Sequence, residues 1–238
     1  MSINKGINNL VCVSGLANSG KSTAADMLYY LLNAPKAFRT YKWYKLLKKW
    51  PFKKKWEISS FAKPLKQTLS IILNKPLEWF EDRRNKENFY VDLNTLKIYS
   101  RFKLQEDIRL TENKFNKLIK SGEPFTTEYC LSIRQLMQYY GTQVIRKYLG
   151  DKTWINSTLN YSKKKLIISD LRFKVEFDEV KHRKGFVIYI DRDGTVPGTH
   201  ASEREVLELK DTNSFDCVIA NNGTKEDLFN NLKKVIYI

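Results

Sequence analysis

Long apolar runs are absent from this 238-residue chain. None approaches the roughly 20 consecutive apolar residues that a bilayer-spanning helix needs, so no such helix is expected. The opening stretch, MSINKGINN, lacks the apolar core of a secretory signal. Cysteine is scarce and odd in number (Cys12, Cys130 and Cys217), which argues against a disulfide framework and suits reduced thiols in a cytosolic protein. With His182 and His200 as the two histidines, and no C-x-x-C pair, a zinc site is not expected. Acid is also in deficit: 26 Asp+Glu stand against 42 Lys+Arg, a formal charge of +16. A surplus of that size attracts polyanions without deciding whether the anion is a nucleotide, a nucleic acid or a membrane face. There is no internal repeat and no evident linker, and the length suits one α/β domain with an elaborate insert.

What is present is concentrated first between Leu10 and Leu32. The apolar run Leu10-Val-Cys-Val13 reads as a buried strand, and Ala24, Met27, Leu28, Leu31 and Leu32 recur at helical period. Between them stands Gly15-Leu-Ala-Asn18-Ser19-Gly20-Lys21-Ser22, a G-x-x-x-x-G-K-[ST] loop, followed by Thr23. Its glycines let the backbone wrap a polyphosphate, with successive N–H groups pointing inward. The helix N-terminus adds about half a positive charge at the same place. Lys21 can then reach the β- and γ-phosphates, and the Ser22 hydroxyl can ligate Mg²⁺. The pattern predicts a nucleoside triphosphate site.

The segment 36–55 interleaves nine Lys/Arg with Phe38, Tyr41, Trp43, Tyr44, Trp50 and Phe52. Cations with aromatics can grip single-stranded nucleic acid by charge and stacking. The spacing of Tyr41, Tyr44 and Leu47 fits equally an amphipathic helix that packs on the core and ends near Pro51. Beyond it the pattern predicts a strand over 56–62 and a helix from Pro64 with Leu65, Leu69, Ile72 and Leu73 on one side. A charged loop or helix over 78–90 follows, then an insert over 91–127 holding a hairpin and a helix that closes at Ser121-Gly122. A helix over 132–148 is interrupted at Gly141, and a second short helix starts around Lys152. Leu166–Asp170 has the continuous apolar character of a buried parallel strand, with Asp170 at its carboxyl end. A helix over 174–184, strands over 186–190 and 215–220, and a final helix capped at Thr224 complete the alternation. Such alternation implies a parallel sheet flanked by helices.

Phosphoryl transfer needs positioning, a metal and cations around the transition-state charge. Asp170 fits the acid that holds Mg²⁺ or its water. Arg172 would point into the same crevice, and Arg192 leads a loop over 193–203 that could close as a lid. Arg134 and Gln138 share a helix face; they are either a phosphate clamp with a base reader or simply a solvated face.

Behind the phosphate loop, Ser60-Phe-Ala-Lys-Pro-Leu-Lys66, Arg134-x3-Gln138-x2-Gly141-Thr142, Trp154, Asp170-Leu-Arg172-Phe-x2-Glu176 and His200-Ala-Ser-Glu203 occur in order. Together they resemble the deoxynucleoside monophosphate kinases of tailed bacteriophages. The resemblance implies a three-layer α/β/α P-loop kinase fold with a mainly parallel central sheet. It also implies one domain over 1–238, with a helical monophosphate-binding insert over about 36–160 and a small lid over about 192–205. The implied reaction moves the γ-phosphoryl of ATP to a dNMP, with Mg²⁺ at Ser22 and Asp170. ATP would lie on Gly15, Asn18, Ser19, Gly20, Lys21, Ser22 and Thr23. The monophosphate would lie on Arg134, Gln138, Gly141, Thr142, Trp154, Asp170 and Glu176, with Lys21, Asp170, Arg172 and Arg192 catalytic. Gln135 stands where such enzymes often carry a basic residue. A homodimer acting on free nucleotides in the cytoplasm (the host's, for a phage-encoded chain) is the implied setting, with nucleic acid not required and no membrane. The contrasting expectation is a nucleic-acid-binding ATPase or accessory protein that uses 36–55.

Overall fold

The computed structural model describes residues 7–49, 55–121, 129–160, 164–196 and 201–237, with the side chains of 201–203 excepted. Pro51, Gly122 and His200 lie outside the described residues, as does the 197–200 part of the expected lid. Contacts divide the chain into two compact units: Met1–Phe61 with Ile155–Ile238, and Ala62–Trp154.

The first unit opens with β1 (Leu10–Ser14), α1 (Lys21–Asn33), α2 (Tyr41–Leu47) and β2 (Trp56–Ser59). The chain then leaves for the second unit through α3 (Lys63–Ile72), α4 (Arg83–Asn88), β3 (Phe89–Asp92), β4 (Ile98–Ser100), α5 (Glu112–Ser121), β5 (Cys130–Ser132), α6 (Ile133–Gln138) and α7 (Lys147–Leu149). It returns along α8 (Thr153–Leu159) to β6 (Lys165–Leu171), α9 (Lys174–His182), β7 (Phe186–Asp191), α10 (Ala201–Asp211), β8 (Cys217–Ala220) and α11 (Lys225–Ile236).

In the first unit the strands form one sheet in the order β2-β6-β1-β7-β8. Every pairing in it is parallel. Because successive side chains of a strand face opposite ways, each strand serves two cores. On one face Val11, Val13, Ile167, Ile188 and Ile190 meet α1 and α11; on the other Leu10, Cys12, Leu166, Ile168, Val187 and Tyr189 meet α9 and α10. The result is the three-layer α/β/α arrangement, with the unbroken apolar runs explained by burial on both sides. The final helix starts as expected: Thr224 Oγ accepts from Asp227 N, and Asp227 Oδ2 accepts from Thr224 N at 2.8 Å.

Residues 36–47 pack into this first unit, not into the expected insert. Tyr44 is buried beside Phe229, with ring centroids 5.5 Å apart, and Tyr41 and Leu47 pack against the same core. Trp43 stands edge-on to Phe38 at 5.2 Å. The aromatic spacing is therefore answered by packing, while Lys42, Lys45, Lys48 and Lys49 remain exposed. The helix ends at Leu47, earlier than the neighbourhood of Pro51.

The second unit has its own three-stranded antiparallel sheet, β4-β3-β5. Its core gathers Leu65, Leu69, Phe80, Val91, Phe115, Leu131, Ile133, Leu136 and Trp154. The expected hairpin is β3–β4 and the expected helix is α5. Ile72 departs from the expected stripe: Leu65, Leu69 and Leu73 follow four-residue steps inward, leaving Ile72 on the exposed side. Gly141 does not break its helix either. The chain stays helical from Ile133 to Leu149, widened to a π-helix over Tyr139–Arg146, a form that is frequent at functional sites.

The thiols are free: Cys12 and Cys130 are buried and Cys217 is half-buried. Burial first, then the nearby Asp170 and Glu176 charges, push the Cys12 thiol well up. A thiol-specific reagent on native protein near neutral pH is expected to label Cys217 first and Cys12 only after denaturant is added, checked by peptide mass mapping. Rapid native labelling of Cys12 would contradict the packing of β1.

Candidate active site

The glycine loop 15–22 follows β1, the central strand, at the carboxyl end of the sheet. Gly15 sits at φ 144, and a Cβ there would lie 2.5 Å from Ile190 O and 2.6 Å from Ser19 Oγ. Glycine is required by backbone angle and by close approach alike. Asn18 at φ 62 and Gly20 at φ 100 complete the curl, and α1 begins at Lys21. Lys21 is buried, and its ammonium donates back across the loop to Gly15 O at 2.8 Å and Leu16 O at 2.5 Å. Ser19 is also buried, and its Oγ has no hydrogen-bond partner among the described residues. A buried hydroxyl left unmatched costs free energy unless an acceptor or donor arrives. Beside it stand a buried ammonium and the amides of a helix start, a set suited to anionic oxygens. Ser22 is exposed and Thr23 half-exposed at the same turn.

The end of β6 supplies the next group. Asp170 is half-buried, and its Oδ1 accepts from Phe61 N at 2.7 Å, fixing the carboxylate against the end of β2. Arg172 is exposed just beyond. The buried Glu176 turns its Oε2 onto the amides of Arg172 at 2.9 Å and Phe173 at 3.1 Å, so it shapes the turn that presents Arg172. Arg192, exposed after β7, begins a turn in which Thr195 Oγ donates to the Arg192 carbonyl at 2.7 Å.

In the second unit Arg134 is exposed on α6 and its guanidinium donates to Glu87 Oε1 at 3.1 Å. Arg83 first, with Arg134 adding to it, holds the Glu87 carboxyl below its ordinary range. Gln138 is half-buried on the same helix, and Thr142 is exposed on the π-helical stretch. Trp154 Nε1 donates to Gly141 O at 3.0 Å, tying the π stretch to α8. Gln135 is taken up by structure: its Oε1 accepts from Ser132 N at 2.9 Å and its Nε2 donates to Leu110 O at 3.0 Å. Sequence reasoning missed Glu87 and Asn221. Neither belongs to a motif, and both act through contacts far apart in the chain. Asn221 donates from Nδ2 to Ser19 O at 2.8 Å, across 202 positions.

Residues 9–232 match the family described as Deoxynucleotide monophosphate kinase. The chain belongs to that family. A relative from Acanthamoeba polyphaga mimivirus, described as "Putative deoxynucleotide monophosphate kinase", is 31% identical over 115 residues, covering 42% of this chain and 58% of the relative. The family chain thus spans little more than half the length of that curated relative. Its relative is from a giant virus of an amoeba, where the sequence motifs suggested tailed phages.

Among the described residues no helix is long and apolar enough to cross a membrane. Among them, too, no group of three or more His, Cys, Asp or Glu could hold a metal ion. A magnesium ion does not need such a group, because it keeps waters and uses nucleotide oxygens alongside one or two protein oxygens. The hydroxyl of Ser22 and the carboxylate of Asp170 are hard oxygen donors of the right chemistry.

Proposed function

We propose that this family member transfers the γ-phosphoryl of ATP to a deoxynucleoside 5′-monophosphate. A phosphate oxygen of the acceptor attacks Pγ, the bond from Pγ to the bridging oxygen breaks, and ADP and dNDP result. The observation that carries the reading is the buried pair in loop 15–22: an ammonium that donates to loop carbonyls at 2.8 and 2.5 Å, and a hydroxyl unmatched among the described residues.

Residues 15–23 hold the triphosphate, and Lys21 neutralises charge on the migrating group. Ser22 and Asp170 would hold Mg²⁺, which offsets charge on the phosphate oxygens when bound. Arg134 clamps the acceptor phosphate, and Gln138, Gly141, Thr142 and Trp154 shape its pocket. Arg172 and Arg192 stabilise the transferring group, and Glu176 keeps Arg172 in place.

Incubation with γ-labelled ATP, Mg²⁺ and each dNMP in turn, without DNA, is expected to give labelled dNDP with at least one acceptor. ATP hydrolysis that appears only when a polynucleotide is added would sink the reading in favour of a nucleic-acid-dependent ATPase. The packing of Tyr41 and Tyr44 on Phe229 weighs against that rival, since those rings are not free to stack on bases.

A further inference from the structure

The phosphate loop is fixed from behind by a residue 202 positions away. Asn221 stands just past β8, and its own N–H donates to Asp191 O at 2.6 Å, binding the end of β8 to the end of β7. Its neighbour Asn222 accepts from Asp193 N at 2.8 Å, and Lys210 Nζ donates to Asp191 Oδ2 at 2.9 Å. Asn221 is therefore seated on the sheet before its side chain is considered. That side chain reaches the loop: Nδ2 donates to Ser19 O at 2.8 Å and lies against Gly20, where a Cβ would stand 2.4 Å from it.

The consequence follows from peptide geometry. Across a planar trans peptide the C=O and N–H point in opposite directions. Holding the Ser19 carbonyl toward Asn221 thus aims the Gly20 N–H the other way, as a donor that lines the loop. Gly20, at φ 100, tolerates many backbone angles, so its own conformational preference does not fix the orientation of the Ser19–Gly20 peptide. We propose that Asn221 is a positioning residue for triphosphate binding: through its amide it fixes the orientation of the Ser19–Gly20 peptide, and with it one of the N–H groups that receive the phosphates. It acts on the polyphosphate and not on the base. The inference rests on the assignment of residues 15–23 as the ATP loop.

The test uses the full chain with Asn221→Ala and Asn221→Asp; the second keeps the shape but replaces the donor with an oxygen facing Ser19 O. Calorimetry reads the affinity for magnesium ATP and for magnesium tripolyphosphate, which has no base. The loss of one hydrogen bond predicts affinity about tenfold weaker in Asn221→Ala. The factor is the same for both ligands, and Asn221→Asp loses at least as much. In the coupled assay KM for ATP rises by the same factor while KM for the accepted dNMP stays within about twofold of wild type. Unchanged affinity in folded Asn221→Asp overturns the proposal even if Asn221→Ala unfolds. A loss confined to ATP, with tripolyphosphate unaffected, overturns it as well, since the contact would then be to the base. Wild-type protein that binds neither ligand would instead defeat the kinase reading itself.

Discussion

Lys21→Ala is expected to lower kcat for phosphoryl transfer by roughly a hundredfold or more, the scale on which removal of a buried transition-state donor is felt. The ammonium is already desolvated, enclosed by the loop and held by two carbonyls at 2.8 and 2.5 Å. Turned from those carbonyls toward charge developing on the γ-phosphoryl, it acts in a water-poor site, and that buried cation is what alanine removes. The variant should fold, because Lys21 lies at the first turn of α1 and the sheet core beneath it is built from Val11, Val13, Ile188 and Ile190. Far-UV circular dichroism and a melting curve check the fold, and labelled-phosphate transfer checks turnover. Lys21→Arg should not restore it, since a planar fork does not replace a compact ammonium in so closed a loop. Retention of more than a few per cent of wild-type kcat in Lys21→Ala would remove the residue from the mechanism.

Gly15→Ala has the second largest expected effect. Its new methyl would lie 2.5 Å from Ile190 O, which belongs to β7 and cannot retreat without breaking the parallel ladder with β1. The other clash, 2.6 Å from Ser19 Oγ, falls on the very hydroxyl awaiting a partner. The backbone angle of 144° adds strain that a non-glycine residue does not relieve. The loop must therefore lift from the sheet. Strain of this kind corresponds to ATP binding roughly ten- to a hundredfold weaker, with a lower melting temperature and the dNMP affinity little changed. Titration of magnesium ATP into Gly15→Ala measures it; wild-type affinity would mean that the loop is not seated as described.

Much of this is legible in the sequence alone. The strand, loop and helix of residues 10–33 are contiguous, so a local pattern captures them whole. The hairpin β3–β4 and the helix α5 were equally local. A glycine in isolation reads as a break in the helix at 141, whereas Trp154 Nε1 holds its carbonyl and the widened π turn absorbs it. The segment 36–47 stood open between two readings until Phe229, almost two hundred positions on, supplied the surface for Tyr41 and Tyr44.

The glycine loop 15–22, the α/β class with its buried parallel strands, and the acid at the end of β6 were readable along the chain, because each is written in a run of neighbouring residues with a fixed period or spacing. That Asn221 braces Ser19, that Glu87 holds Arg134, that Glu176 turns onto the backbone at Arg172, and that residues 62–154 form a unit of their own came from three-dimensional packing. These depend on which strand ends and helices become neighbours in the order β2-β6-β1-β7-β8 and in the separate sheet β4-β3-β5. That adjacency is set by burial summed over whole faces, and no local period carries it.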